Sequence, residues 1–272
     1  METTREQLAT LLRLYAESGL DFAIEAEPVD RFAEAAEPPA PARAAAPARK
    51  PEPAPARPVQ PAAVPPDDEA VRLAIDAAQA AHDLDALVAA ARAFEGCNLK
   101  RSARHTIVEG GNRQAPVMLV GAAPSRDDDQ NGAAMSGLDG LMLDMMLGAI
   151  GLDRQSDVYC GFCVPWAVPG GERPTALQLK ICAPFIHRQI ALAGPAVVVA
   201  LGNVAARHLT GSDRTIMQLR GTWRRVAFGE TETDVTALFE PGFLRDQPRF
   251  KRQAWLDLLA LKDRLAEGGR RH

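Results

Sequence analysis

Residues 121–137 read GAAPSRDDDQNGAAMSG and lie between an apolar run, PVMLVG, and a stretch with helical spacing. A glycine-rich, acidic loop between a strand and a helix is a common place for a binding site in α/β proteins. The consecutive acids at 127–129 offer oxygen ligands that a divalent metal can use, but such runs are usually solvated. The loop has no His, Lys, Cys or aromatic residue. Its composition therefore indicates a site that lacks the usual reacting groups.

Alternating apolar and helical segments would position this loop. Strand-like runs occur at 116–121, 157–164 and 196–201, with a weaker one near 222–228. Helical patterns occur at 67–81, 84–94, 137–151, 175–193, 203–210 and 249–265. This alternation predicts an α/β fold, a three-layer αβα arrangement with a central four-stranded, mostly parallel sheet. Ligands bind at the carboxyl ends of the strands in such folds, which is where the loop lies.

Composition indicates the kind of protein and the cellular compartment that we expect. The chain has 272 residues, a formal net charge of −4 and a pI near 5.8, so a globally basic nucleic-acid binder is excluded while a local basic face is not. No apolar run of about 18 residues occurs, and no transmembrane helix is predicted. Four cysteines in a chain of this length do not form a disulfide framework, which favours a reducing cytoplasm. We expect a cytoplasmic monomer that does not bind membranes.

The chain divides into three parts. Residues 1–30 contain leucines at helical spacing and predict an amphipathic N-terminal helix, which either docks a protein partner or caps the main domain. In residues 37–66, 21 of 30 positions are Pro or Ala, a composition that predicts an extended, disordered linker. Residues 67–272 have the pattern of a globular domain.

Four segments of that domain resemble the family 4 uracil-DNA glycosylases of the alphaproteobacterial type. They read GAAPSRDDDQNGAAMSGLDGLMLDMMLGAIGLDR, VYCGFCVPWAVPGGERPTALQLKICAPFIHRQI, PAVVVALGNVAARHL with LRGTW, and FEPGFLRDQPRFKRQAWLDLL. The resemblance implies DNA as partner and a base-excision chemistry, in which a deaminated base is flipped out and its N-glycosidic bond is hydrolysed. That chemistry uses an aromatic ring to stack on the base, an amide to read its edge, and electrostatic groups for the leaving anion and the water.

The residues that the resemblance assigns to this chemistry are replaced. The first family motif is similar to GEAPGxxEDxxGxPFVG, and here Ala122 stands for its acid and Ser125 for its second glycine. Met135 stands for the stacking Phe and Phe162 for the reading Asn of VYITN. Glu240 stands for the His of HPSxLLR. We therefore expect Met135 to fill a gap and Phe162 to plug the base pocket, with a general-base role for Glu240 as an alternative.

Other family positions are kept. The pocket backbone that we expect from the resemblance comprises Gly121, Pro124, Gly132 and Gly137. The DNA-binding residues that we expect, with Phe243 or Leu244 as the wedge in the duplex, are Pro241, Gly242, Phe243, Leu244, Arg245, Lys251 and Arg252. Asp144 and the pair Arg220-Gly221 also persist. The residues that shape the scaffold and some of the DNA-binding residues are thus retained, whereas the residues for the chemistry are replaced.

Family members that carry a [4Fe–4S] cluster hold it with four thiolates. The resemblance places Phe94, Cys97, Trp166 and Cys182 at those positions, so two ligands are missing and we predict no cofactor. The CGFC run at 160–163 falls on a predicted strand, where positions i and i+3 face opposite sides. A cluster held by Cys97, Cys163, Cys182 and an outside ligand is the alternative.

Three functions remain open from the sequence. The first is a catalytically impaired glycosylase-like protein that binds DNA or a repair partner. The second is an active DNA glycosylase with a rearranged site, acting on uracil or another damaged base. The third is a structural scaffold without DNA contact. The simultaneous replacement of four functional positions favours the first.

Overall fold

The computed structural model describes residues 67–268. The predicted N-terminal helix at 1–30 and the predicted linker at 37–66 lie outside the described residues. Among the helices described, none has the length and apolar character needed to cross a membrane.

A six-stranded mixed sheet forms the centre of the domain, in the order β1-β3-β2-β4-β6-β5. The strands are β1 Glu109–Gly111, β2 Val117–Gly121, β3 Val158–Phe162, β4 Val197–Leu201, β5 Arg224–Phe228 and β6 Thr231–Leu238. Strands β3, β2, β4 and β6 are parallel, whereas β1 and β5 pair antiparallel at the two edges. Every residue of β2, β3 and β4 is buried, as expected for parallel strands with both faces covered.

Helices cover both faces of this sheet. They are α1 Asp67–Ala80, α2 Leu84–Ala93, α3 Arg126–Asn131, α4 Gly137–Gly148, α5 Ala176–Ala193, α6 Gly202–Thr210, α7 Ile216–Leu219, α8 Pro241–Asp246 and α9 Lys251–Gly268. Short 3-10 turns occur at Asn98–Arg101, Pro169–Gly171 and Pro248–Phe250. Residues of α4 and α9 pack on one face of the sheet, and residues of α5 and α6 pack on the other. Helices α1 and α2 pack against α5 in a separate apolar cluster.

The predicted α/β architecture with a mostly parallel sheet is confirmed, and the count of four strands is wrong. The three strong apolar runs are β2, β3 and β4, and the weak run near 222–228 is the antiparallel edge strand β5. Strand β6 is the fourth parallel strand. The sequence pattern did not predict it because it begins with the polar residues TETD. Strand β1 has three residues, two of them glycine, and so carries almost no signal.

Candidate functional site

A cleft of about 830 Å³ lies at the carboxyl edge of the parallel strands. Its walls come from the loops after β2, β3 and β6, which include residues 121–129, 167–174 and 240–242. The pairing register places Gly121 beside Phe162 at the ends of β2 and β3. The three loops therefore converge at one edge of the sheet, and the cleft has the size of a small-molecule or nucleotide site.

Phe162 and Met135 form the floor of this cleft. Phe162 is 5% exposed, and a Cβ atom at Gly121 would lie 3.0 Å from two atoms of its ring and 3.3 Å from Cε of Met135. Glycine is therefore required at 121 for this close approach. The two side chains occupy only the floor, and the cleft above them stays open. That Met135 fills a gap and that Phe162 plugs the base pocket therefore stay predictions.

Arg154 holds the loop that carries Met135. Its Nη1 donates to the carbonyl oxygens of Ala134 and Met135 at 3.2 and 2.8 Å, and its guanidinium is paired with Asp144. Met135 has φ of +55°, the one left-handed residue other than glycine in the described chain. Left-handed backbone is unfavourable for a side chain with a Cβ atom, so these bonds stabilise an otherwise costly turn. Through its pair with Arg154, Asp144 therefore helps to fix the conformation of this loop.

The acidic run does not form a solvated loop, as the sequence suggested, but the first turn of α3. Ser125 and Asp128 form a capping box at its start. The buried Asp128 carboxylate accepts from the N–H groups of Ser125 at 2.8 Å and Ser136 at 2.5 Å. Asp129 accepts from the N–H groups of residues 104 and 105. These oxygens are therefore engaged by the backbone, and the described residues contain no group suited to hold a metal ion.

The four retained backbone positions all lie around this cleft. Gly121 and Pro124 line it directly. Gly132 ends α3 in the left-handed region, with φ of +65°. Gly137 also has positive φ, and a Cβ atom there would lie 1.9 Å from Asp127 Oδ2. They therefore set the path of the loop rather than supply reactive groups.

Glu240 lies on the opposite wall, two residues after the end of β6. Its carboxylate lies over Gly202, where a Cβ atom would be 1.8 Å from Oε1. The side chain is open to the cleft, yet the surrounding walls displace enough water to raise the pKa of this carboxyl. The charge of Arg173 opposes that rise in pKa and the charge of Asp139 adds to it. Ala122, at the position of the family acid, lines the cleft with a methyl group only.

Acidic groups predominate in the cleft. Its lining contains five carboxylates and two guanidinium groups, namely Asp128, Asp129, Asp139, Glu172 and Glu240 with Arg126 and Arg173. A phosphate is repelled by such a surface. Contacts with a phosphate backbone must therefore come from outside the cleft.

The predicted DNA-binding residues lie in very different surroundings. Arg245 is paired with Asp139. Leu244 is 1% exposed and packs in an apolar cluster, so Phe243 is the exposed one of the two wedge candidates. Phe243 is 37% exposed and stacks on Phe239 with ring centroids 5.1 Å apart. Pro241 is buried and Gly242 lies beside it at the cleft.

Lys251 and Arg252 are exposed at the start of α9. Neither side chain has an ion pair or hydrogen bond with the described part of the chain. Cations are unfavourable at the N-terminal end of a helix, where the helix dipole is positive. Their arrangement is therefore suited to an external anion.

Apolar packing fills the positions that the resemblance assigns to the cluster ligands. The rings of Phe94 and Trp166 are stacked with centroids 6.5 Å apart, and Trp166 is fully buried. The remaining thiols, Cys97 and Cys182, share a hydrogen bond, which lowers the pKa of Cys97 and raises that of Cys182. Two rings in place of two thiolates do not fit a [4Fe–4S] cluster.

Cys160 and Cys163 lie in the apolar clusters on opposite faces of the sheet. Burial raises the pKa of each thiol to about 12. Both are protonated at neutral pH and serve as packing residues. Cys163 therefore offers little to the alternative cluster with Cys97 and Cys182.

Sequence reasoning missed three polar residues around the site: Arg154, Arg173 and Asn203. Arg173 and Asn203 line a smaller pocket that adjoins the cleft. Asn203 follows Gly202 at the carboxyl end of β4, a position where α/β proteins place ligand contacts, so this rule could have found it. Nothing in the sequence indicated that Arg154 reaches back to the carbonyl of Met135.

The chain was compared with known families and proteins. The profile of the family described as "Uracil DNA glycosylase superfamily" matches residues 108–259. This range contains β2 to β6 and the three loops of the cleft.

Individual relatives carry the name type-4 uracil-DNA glycosylase. The protein of Archaeoglobus fulgidus is 28% identical over 174 residues, which cover 62% of this chain and 87% of that protein. The protein of Thermotoga maritima is 30% identical over 126 residues, 46% of this chain and 65% of that protein. The protein of Saccharolobus solfataricus is 27% identical over 128 residues, 47% of this chain and 59% of that protein.

Proposed function

The chain belongs to the uracil-DNA glycosylase superfamily, and we propose that it is a DNA-binding member of base-excision repair type whose excision of uracil is impaired. The residues that shape the cleft are retained. The residues on which uracil recognition would depend are replaced. DNA is the ligand that the family relationship favours.

The observation that carries this proposal is the phenylalanine at position 162. It is the last residue of β3, and its ring packs on Gly121 at the cleft floor. A phenyl ring has no hydrogen-bond donor or acceptor for the Watson–Crick edge of a base. A base edge that is buried without partners loses binding free energy. Uracil therefore gains little specific binding from this floor.

The other replacements act on the chemical step. Ala122 has no carboxylate to orient water, and an ionised Glu240 repels the uracil anion that must leave. One well-placed electrostatic group contributes about 10²–10³ to a rate. The loss of two such groups predicts excision that is slower by about 10⁴ or more.

DNA contact is supported by charged and aromatic groups outside the cleft. Lys251 and Arg252 are exposed cations without partners in the described chain, and Phe243 is an exposed ring able to enter a base step. The acidic cleft keeps the affinity low. Two phosphate contacts correspond to a slope of about −2 in log K against log salt.

An active glycosylase with a rearranged site is the second candidate, and one observation favours it. The cleft is open, and the pKa of the Glu240 carboxyl is raised. A carboxylate of raised pKa beside an open cleft is suited to general-base catalysis. Under this alternative, Glu240→Gln abolishes excision.

Binding of fluorescent DNA over a series of salt concentrations tests the DNA-binding part of the proposal. We expect weak binding, equal for uracil and thymine, with a slope of about −2. Lys251→Ala combined with Arg252→Ala should reduce the slope to near zero, while Lys262→Ala, which removes an exposed cation further along α9, should leave it unchanged. Tight, uracil-specific binding would support the active enzyme instead. Absence of binding at about 50 mM salt, where phosphate contacts are strong, would refute the proposal.

A further inference from the structure

A second pocket of about 120 Å³ adjoins the cleft. It lies between the start of α6 and the loop after β6, and Arg173, Val204 and Glu240 line both cavities. A cavity of about 150 Å³ holds one benzene ring. The pocket is somewhat smaller than that cavity but is continuous with the open cleft, so a six-membered ring that enters it keeps its substituents and its sugar in the cleft.

Glu240 supplies hydrogen-bond acceptors to this pocket. Its carboxylate has no hydrogen bond or ion pair with the described residues. The charged groups that face it are Arg173, from the loop before α5, and Asp139 of α4, which is already bound by Arg245. The oxygen atoms of Glu240 are therefore available to a ligand.

Asn203 and Arg173 supply donors. The side-chain oxygen of Asn203 accepts from the N–H of Ile216 at 2.8 Å, and this bond leaves the amide nitrogen as the group without a partner. Arg173 is exposed and has no hydrogen bond with the described residues. A ligand in the pocket meets acceptors from Glu240 and donors from the other two residues.

Aromatic side chains form the apolar wall. Phe239 is buried and Phe243 is partly exposed, and their rings are stacked with an interplanar angle of 26°. An exposed ring next to convergent polar groups is the usual arrangement for binding a flat heteroaromatic ring.

Pyrimidines differ at the atom that a carboxylate reads. Cytosine has an exocyclic amino group that donates to a carboxylate, whereas uracil and thymine have a carbonyl oxygen at the same place. Two acceptors that face each other repel. We propose that the pocket binds an amino-bearing pyrimidine of the cytosine type and that Glu240 determines this preference. The inference rests on the proposed binding of DNA.

Three single-stranded thymine oligonucleotides provide the test, each with one central position that is cytosine, uracil or an abasic analogue. Their affinity for the full-length chain is measured by fluorescence anisotropy at pH 8 and low salt. We expect cytosine to bind about tenfold more tightly than uracil, within the range for one good base contact. Glu240→Gln should reduce that ratio to about twofold or less, because an amide presents a donor as well as an acceptor. The change in affinity for the abasic oligonucleotide measures the effect of the lost charge alone, which acts on all three oligonucleotides and cancels in the ratio.

Glu172→Gln is the matched control, since it removes another carboxylate of the cleft that does not line the small pocket. It should keep the tenfold ratio. Equal binding of cytosine and uracil, or an unchanged ratio in Glu240→Gln, would overturn the inference while binding of DNA stands. Failure to bind any of the three oligonucleotides would overturn the proposed function, and the inference with it.

Discussion

Arg245 of α8 forms an ion pair with Asp139 of α4, 106 positions apart in the chain, with Nη1 and Oδ1 separated by 2.5 Å. Arg245 is the residue that the sequence would assign most readily to a DNA phosphate. In the structure its charge is balanced by a carboxylate that lines the cleft. This pairing lowers the expected number of phosphate contacts from three to two.

Replacement of Asp139 by Asn should release Arg245. The freed guanidinium then becomes available to a phosphate, and the slope of log K against log salt should steepen by about one. The double variant with Arg245→Gln should return the slope to that of the unaltered protein. An unchanged slope in Asp139→Asn would mean that Arg245 does not reach the DNA.

Arg154→Met should destabilise the domain. The substitution removes the ion pair with Asp144 and the two bonds to the carbonyl groups of the left-handed turn at Met135. Hydrogen bonds to charged groups contribute about 1.5–3 kcal/mol each, and we expect the loss of the two carbonyl bonds to lower the free energy of unfolding in urea by about 3 kcal/mol or more. Arg225→Met, which breaks the long pairs of an exposed guanidinium with Glu232 and Asp234, should cost less than about 1 kcal/mol. Similar costs for the two variants would contradict this role.

The sequence predicts the strands whose interiors are continuously apolar, because parallel strands buried on both faces need such runs. Strand β6 is continuously buried only over its second half and begins with polar residues, of which Asp234 is paired with Arg264 of α9. The acidic residues of helix α3 are typical of exposed segments, so the sequence predicts a solvated loop where the structure has a helix. A capping box between Ser125 and Asp128 turns those acids into a helix start.

The role of a site residue could be predicted from the sequence where the residue type alone decides that role. Phe162 cannot read a base edge in any conformation, and the lack of a carboxylate at Ala122 is equally plain. The burial of Leu244 and the pairing of Arg245 could not be predicted, because both depend on contacts with distant segments. The small pocket beside Glu240 also depends on such contacts, since its walls come from four separate segments of the chain.

Stability should fall as the pH drops below about 6.5. Burial lowers the pKa of His187 and lowers that of His208 to about 4, with the charge of His187 adding to the second effect. Because the unfolded chain binds protons more readily, the stabilisation is complete above the unfolded pKa of 6.5 and is lost as the pH falls towards 4. For His208 alone this amounts to about 2 kcal/mol between pH 8 and pH 5.

Urea unfolding at several pH values measures this loss. His208→Gln should flatten the dependence between pH 7 and pH 5, because glutamine does not titrate. His82→Gln serves as the control, since His82 is exposed. The same dependence in His208→Gln and in the unaltered protein would show that the acid sensitivity has another source.

The iron content of the purified protein tests the prediction that Phe94, Cys97, Trp166 and Cys182 hold no cluster. With Phe94 and Trp166 in place of two thiolates, protein expressed with ample iron and purified without oxygen should contain less than about one iron per chain. The measurement is colorimetric, for iron and acid-labile sulfide together. About four irons per chain would contradict the packing and would direct attention back to Cys97, Cys163 and Cys182.

Release of uracil from single-stranded and double-stranded DNA is the most direct test of impaired excision. The assay compares the unaltered protein with an active type-4 enzyme and with the variant Phe162→Asn. We predict no release by the unaltered protein above about 10⁻⁴ of the rate of the active enzyme, since at least two electrostatic groups are lost. Release at a comparable rate, abolished by Glu240→Gln, would contradict the account and establish a glycosylase with a rearranged site.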